Sequence, residues 1–167
     1  MKREKLRLMV DLQMFAESLL DGGLPEGADD GCERLLLVCG VAHEFELFTT
    51  SGHVVALQHS LEERGVPARQ ARELAMKLMD VVRVVPLDAT AWDESVNLWK
   101  NMDLRDAMLF AAASLACAHA VVTPRASSVC ASGEHAMTPQ ELFGELKRQY
   151  GLDYEEVRLP RSDEIDG

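Results

Sequence analysis

Short apolar runs alternate with longer stretches of helical periodicity along almost the whole chain. In Lys5 to Asp11 (KLRLMVD), Leu6, Leu8 and Val10 alternate with charge, which is the period of a strand. Leu12 to Leu20 then places Leu12, Phe15, Ala16, Leu19 and Leu20 at helical spacing, and Asp21-Gly22-Gly23 with Pro25 stops that helix ahead of a surface loop from Leu24 to Gly31. A second helix over Asp29 to His43, capped by Asp29 or Asp30 ahead of Glu33, leads to a short strand at Glu46 to Thr50. Gly52 to Arg64 reads as a helix ended by Gly65. Val66-Pro67 opens another that runs to Asp80, with proline in a first turn where its missing N–H costs nothing.

Val81 to Leu87 (VVRVVPL) is β-branched and apolar, hence a strand. Asp88 begins a helix with Trp92, Val96 and Trp99 along one face, a pair of tryptophans that reads as core or as dimer contact. Leu104 to His119 is rich in alanine, whose small side chain favours a helix lying close against a sheet. Ala120 to Thr123 makes a fourth strand and Glu134 to Met137 a short fifth. Thr138-Pro139-Gln140-Glu141 supplies a cap, a first-turn proline and an acidic first turn for the last helix. From Tyr150 the text is acidic and poor in apolar residues. The expected organisation is one domain over residues 1–149 followed by a loosely held tail over 150–167.

This alternation predicts a three-layer α/β fold, a mostly parallel central sheet of four or five strands flanked by helices. Right-handed crossovers put the C-terminal ends of parallel strands on one edge, where the sites of open sheets gather. The residues to weigh are therefore Asp11, Thr50 to His53, Asp88 and Thr123 to Ser128. A length of 167 residues with 47% hydrophobic content suits one core. The apolar stretches are shorter than the ~20 residues of a membrane span, and MKREKLRLMV leads into no signal core, so a cytoplasmic protein without membrane contact is expected. Cys32, Cys39, Cys117 and Cys130 form no CxxC pair, which argues against zinc or a disulfide framework. A formal charge of -11 opposes unguided binding of phosphate backbones.

Asp11 ends the first strand, Asp106 stands in the first turn of the alanine-rich helix, and Thr123 closes the strand after it, so a parallel sheet can bring the three to one pocket. The order of elements and the residues around these positions resemble the PIN domain, a metal-dependent nuclease fold found in many toxin and antitoxin pairs, over about Lys5 to Leu146. In that family a strand ends in an Asp, matched by Asp11, with Leu12-Gln13 in place of the usual Thr-Asn. A Glu follows on the helix after the second strand; SGHVVALQHSLEERG has Ala56 there. A third acid before a small residue opens an alanine-rich helix, matched by Asp106-Ala107. After the next strand the family has Thr-Arg-Asn or Thr-Arg-Asp and a further Asp, whereas Thr123-Pro124-Arg125-Ala126-Ser127-Ser128-Val129 puts Ser128 at the fourth acid.

The resemblance implies Asp11 and Asp106 as catalytic remnants and as ligands for weakly bound Mg²⁺ or Mn²⁺, with Thr123, Ser128 and Arg125 as binding residues, and its missing Glu makes His53 a further binding candidate. Such nucleases cluster carboxylates around a cation that activates water and offsets charge on the attacked phosphate; two acids make a poorer site than four. His53, three residues before Ala56, shares its helix face and either reaches the pocket or lines the helix start. Asp103 reads as a cap or as a nonstandard metal ligand, and Arg125 as a phosphate contact or a solvent-facing cation. Asp11 and Asp106 are either helix-mouth hydrogen-bonding groups or a remnant site. Three functions follow. The first is a PIN-like protein impaired in catalysis that acts through protein interaction, as a homodimer or with an antitoxin-like partner. The second is a Mg²⁺- or Mn²⁺-dependent endoribonuclease with an altered ligand set. The third, a nucleotide- or phosphate-binding module, is weakened by the lack of GxGxxG or a P-loop.

Overall fold

Leu8, Met9 and Val10 are buried in full, which places the strand Leu6–Val10 (β1) in the middle of the molecule. The computed structural model describes residues 4–20, 31–131 and 133–154. β1 pairs in parallel with Phe45–Thr49 (β2) on one side and with Ala120–Val122 (β4) on the other. Val82–Val84 (β3) extends the far side of β2, so the four strands run in the order β3-β2-β1-β4, all parallel.

Between the strands lie, among the described residues, the helices Ala16–Leu20 (α1), Cys32–Val41 (α2), Ser51–Glu63 (α3), Ala68–Leu78 (α4), Ala89–Leu98 (α5) and Leu104–Leu115 (α6), and after β4 come Ala126–Ala131 (α7) and Pro139–Tyr150 (α8). They cover both faces of the sheet. Leu8 and Val10 join Leu47, Val82 and Val122 in one core, with Phe15, Leu36, Leu57, Leu78 and Leu142 from the helices. Met9 faces the other way and packs with Phe48, Val121, Leu109, Phe110 and Val129. Alternate residues of one strand thus feed opposite cores, the geometry of a sheet buried on both sides. The α/β architecture expected from the alternation is the one observed.

Several local expectations differ from the structure. The first helix opens with a 3-10 turn at Leu12–Phe15 before α1. α2 begins at Cys32, behind Gly31 at φ 117°, so the cap is a glycine in a conformation other residues avoid. Asp29 and Asp30, the stop at Asp21 to Pro25 and the loop before Gly31 lie outside the described residues. α6 ends before His119: Cys117 sits at φ 49°, and His119 instead donates its N–H to Arg7 O at 2.7 Å, starting the approach to β4. The fifth strand reduces to one parallel bridge between Val122 and Met137. Ala126–Ala131, to which the sequence pattern assigned no element, is a short helix.

Trp92 and Trp99 are not core residues: they are 45% and 54% exposed. α5 turns Ala91 and Ser95 inward and packs along α6, because small side chains on both helices allow close approach. The tryptophans occupy the neighbouring stripe. The start of the expected tail is also anchored. After Gly151 caps α8 at φ 64°, Leu152 packs on the core and the Tyr154 ring lies 5.0 Å from Phe45 and 6.0 Å from Phe143. Residues 155–167 lie outside the described set. Cys39, Cys117 and Cys130 are free thiols, and burial, aided by Glu44, pushes the Cys39 thiol up to about 12, so it behaves as a small apolar side chain. Among the described residues no helix is long and apolar enough to cross a membrane.

Gly40 on α2 marks where helix and sheet approach most closely. A Cβ there would lie 2.5 Å from Leu47 Cδ1 and 3.1 Å from Val81 Cγ1, and Leu47 is itself enclosed. Gly40→Ala is expected to destabilise the fold by about 1–3 kcal/mol through overpacking, despite its better helix propensity, as read from urea unfolding.

Candidate functional site

At the carboxyl edge the ends of β1, β2 and β4 each deliver a polar residue. After β1 the chain turns at Asp11, whose N–H donates to Val122 O at 3.1 Å and whose Oδ1 accepts from Gln13 N at 3.1 Å. Asp11 therefore caps the 3-10 turn and is 3% exposed. After β2, Thr49 Oγ1 donates to Val10 O at 3.0 Å, tying the two strand ends together. Thr50 caps α3: its Oγ1 accepts the His53 main-chain N–H at 3.3 Å and lies 2.6 Å from His53 Nδ1. The Thr50 hydroxyl can donate to Nδ1 or accept from an Nδ1–H, and in the second tautomer Nε2 carries the ring's free lone pair.

His53 is 1% exposed, and its Nε2 finds no hydrogen-bond partner among the described residues. Burial lowers its pKa and outweighs the opposing pull of Asp11; Arg105 lowers it further and Asp103 raises it. The ring is thus neutral near pH 7. On α6, Asp103 is the cap, its Oδ1 accepting from Arg105 N at 2.9 Å. Asp106, one turn inward and 3% exposed, accepts from an Arg125 guanidinium nitrogen at 2.7 Å through Oδ2. Burial raises the Asp106 pKa, Arg125 lowers it, and Asp103 and Asp11 add to the rise, with Arg105 opposing. Burial wins.

Thr123, fully buried after β4, donates its N–H to Met137 O at 2.9 Å and accepts the Arg125 N–H on Oγ1 at 3.2 Å. The structure thus brings Asp11, Asp103 and Arg105 within electrostatic reach of both His53 and Asp106, and Arg125 within reach of Asp106. It does not bring in Ser127 or Ser128, which are exposed on α7. Ala56 is buried one turn beyond His53 and offers no ligand. Asp88 caps α5 by accepting from Ala91 N at 2.8 Å, and exposed His59 pairs with Glu63 at 3.2 Å. Sequence reasoning missed Arg105 and Gln13, which meet at 3.3 Å across the mouth of the site. The available signal was Gln13 in the slot after Asp11 and a cation directly before Asp106.

A cation such as Mg²⁺ takes oxygen ligands and is usually held by one or two carboxylates whose oxygens are free, with waters filling the remaining positions. Here one buried carboxylate is held by a guanidinium and the other accepts a backbone N–H. Among the described residues no three His, Cys, Asp or Glu side chains are arranged to hold a metal. The donor set in this arrangement does not fit a carboxylate metal centre.

Arg125→Gln leaves Asp106 buried without its cation and moves its pKa further up. The expected loss at pH 7 is about 1–3 kcal/mol, below the 3–5 of a fully enclosed pair because the Arg125 side chain is 40% exposed. The sign follows from linkage: as pH falls and Asp106 takes a proton in both proteins, the partner matters less, so the deficit shrinks on acidification. Urea unfolding at neutral and acidic pH reads this, and an undiminished deficit at low pH contradicts it. In comparisons with known proteins, no protein-family model, curated protein or solved structure matches the chain.

Proposed function

We propose that this chain is a PIN-domain-like protein with an incomplete acidic site, which acts through protein interaction and not by hydrolysing RNA. The observation that carries this reading is the ligand count at the sheet edge. Of the four acid positions implied by the resemblance, only Asp11 and Asp106 bear carboxylates; Ala56 is apolar and Ser128 is turned to solvent. Two carboxylates can hold a hydrated Mg²⁺ or Mn²⁺ only weakly, and they polarise water and balance phosphate charge less well than four. The partner is first a second copy of the chain. Trp92, Val96 and Trp99 form an exposed stripe on α5, and exposed aromatic residues are the type enriched at interfaces. An antitoxin-like protein is the other candidate for that surface.

The alternative is a Mg²⁺- or Mn²⁺-dependent endoribonuclease with an altered ligand set. One observation favours it: His53 holds a buried, unpartnered Nε2 within electrostatic reach of Asp11, on the helix face where the family has its Glu.

Incubation of single-stranded RNA with the protein and Mg²⁺ or Mn²⁺ separates the two readings. The expected result is cleavage no faster than with the Asp11→Ala, Asp106→Ala double variant; metal-dependent cleavage that the double variant loses establishes the nuclease instead. For the interaction itself, sedimentation should show a dimer that Trp92→Glu with Trp99→Glu converts to a monomer of unchanged circular dichroism. A monomeric parent protein removes the self-association reading.

A further inference from the structure

We infer that Arg125 is a built-in counter-cation, a tethered guanidinium that neutralises Asp106 and keeps divalent metal from binding there. The inference rests on the reading of Asp11 and Asp106 as the surviving metal positions, and it turns their misfit with a metal into a property of the site. Arg125 is held in place by its own backbone. Its N–H donates to the buried Thr123 hydroxyl at 3.2 Å, and its carbonyl accepts from Val129 N at 3.2 Å as α7 begins. The side chain leaves this pinned corner and reaches Asp106 Oδ2 at 2.7 Å, a short charge-assisted bond.

Two consequences follow from that geometry. A tethered group faces its partner at an effective concentration of the order of millimolar or more, which matches or exceeds a free metal ion competing for the same oxygen. A cation that did reach Asp106 would also stand beside the displaced guanidinium, with Arg105 close by, and like charges repel. Metal binding at this edge is therefore opposed by occupancy and by field together. With the Arg125 charge removed, Asp106 and Asp11 are left as two buried carboxylates without that guanidinium, and a hydrated divalent cation can be held through one or two carboxylates.

Mn²⁺ titration followed by paramagnetic broadening of amide resonances tests this in the parent protein, in Arg125→Gln and in Arg125→Gln combined with Asp11→Asn. The parent protein is expected to show no saturable broadening around Asp106. Arg125→Gln is expected to gain affinity by about ten- to hundredfold, the range that neighbours of metal ligands command, and Asp11→Asn is expected to abolish the gain. If the parent protein binds Mn²⁺ at Asp106 as tightly as Arg125→Gln, the counter-cation inference is overturned while Asp11 and Asp106 stand as metal positions. If folded Arg125→Gln binds none, both the inference and those metal positions fail. Should Arg125→Gln not fold, the parent protein still decides: Arg125 guanidinium signals unmoved by millimolar Mg²⁺ support the inference, and their displacement overturns it.

Discussion

β1 is paired on both sides and buried on both faces, and everything at the carboxyl edge depends on that enclosure. A strand without a solvent face must end in a residue that can satisfy polar demands locally, since water has little access there. Asp11 does so by capping the turn that follows. Thr49 and Thr123 on the flanking strands meet the same demand, the first through Val10 O and the second through the Arg125 N–H. The polar residues after the strands are thus a requirement of the fold before they are a site.

The three buried ionisable groups meet the cost of burial in different ways. Asp11 uses a backbone N–H. His53 remains neutral, with its pKa depressed and Nδ1 engaged by Thr50. Asp106 has no cap to make, because Asp103 already occupies the cap position of α6, and it relies on Arg125. Asp11, Asp103 and Arg105 act on both His53 and Asp106, which links the two electrostatically.

What was legible in the sequence follows from range. The alternation of apolar runs and helical spacing reports local period, so strand and helix order, the Thr138 cap and the Asp103 cap came through. Element ends set by distant contacts did not. β3 stops early at the sheet margin, α6 ends where Cys117 takes a left-handed turn toward β4, and Met137 finds only one bridge. The choice between Ala91 and Trp92 as the buried face of α5 was invisible as well, because periodicity marks a stripe without saying which neighbour covers it. At the site, Asp11 and His53 were found from their places after strands, and Asp106 from its place at the opening of the alanine-rich helix. The bond from Arg125 to Asp106 joins residues on separate elements, and no local pattern reports it.

On the proposed reading, the missing acids and the added guanidinium are two sides of one balance. Four carboxylates at one edge cannot all ionise without a cation of high charge, because each raises the pKa of the others. With Ala56 and Ser128 at two of those positions, the remaining charge is small enough for a monovalent side chain to offset. A guanidinium suits that role better than an ammonium, since its planar donors meet a carboxylate oxygen directly while it stays charged at any physiological pH. A lysine at position 125 would supply the charge without the same directed contact. The identity of that residue, more than the count of acids alone, therefore decides whether the edge is an electrostatically closed structural corner or an open cation site.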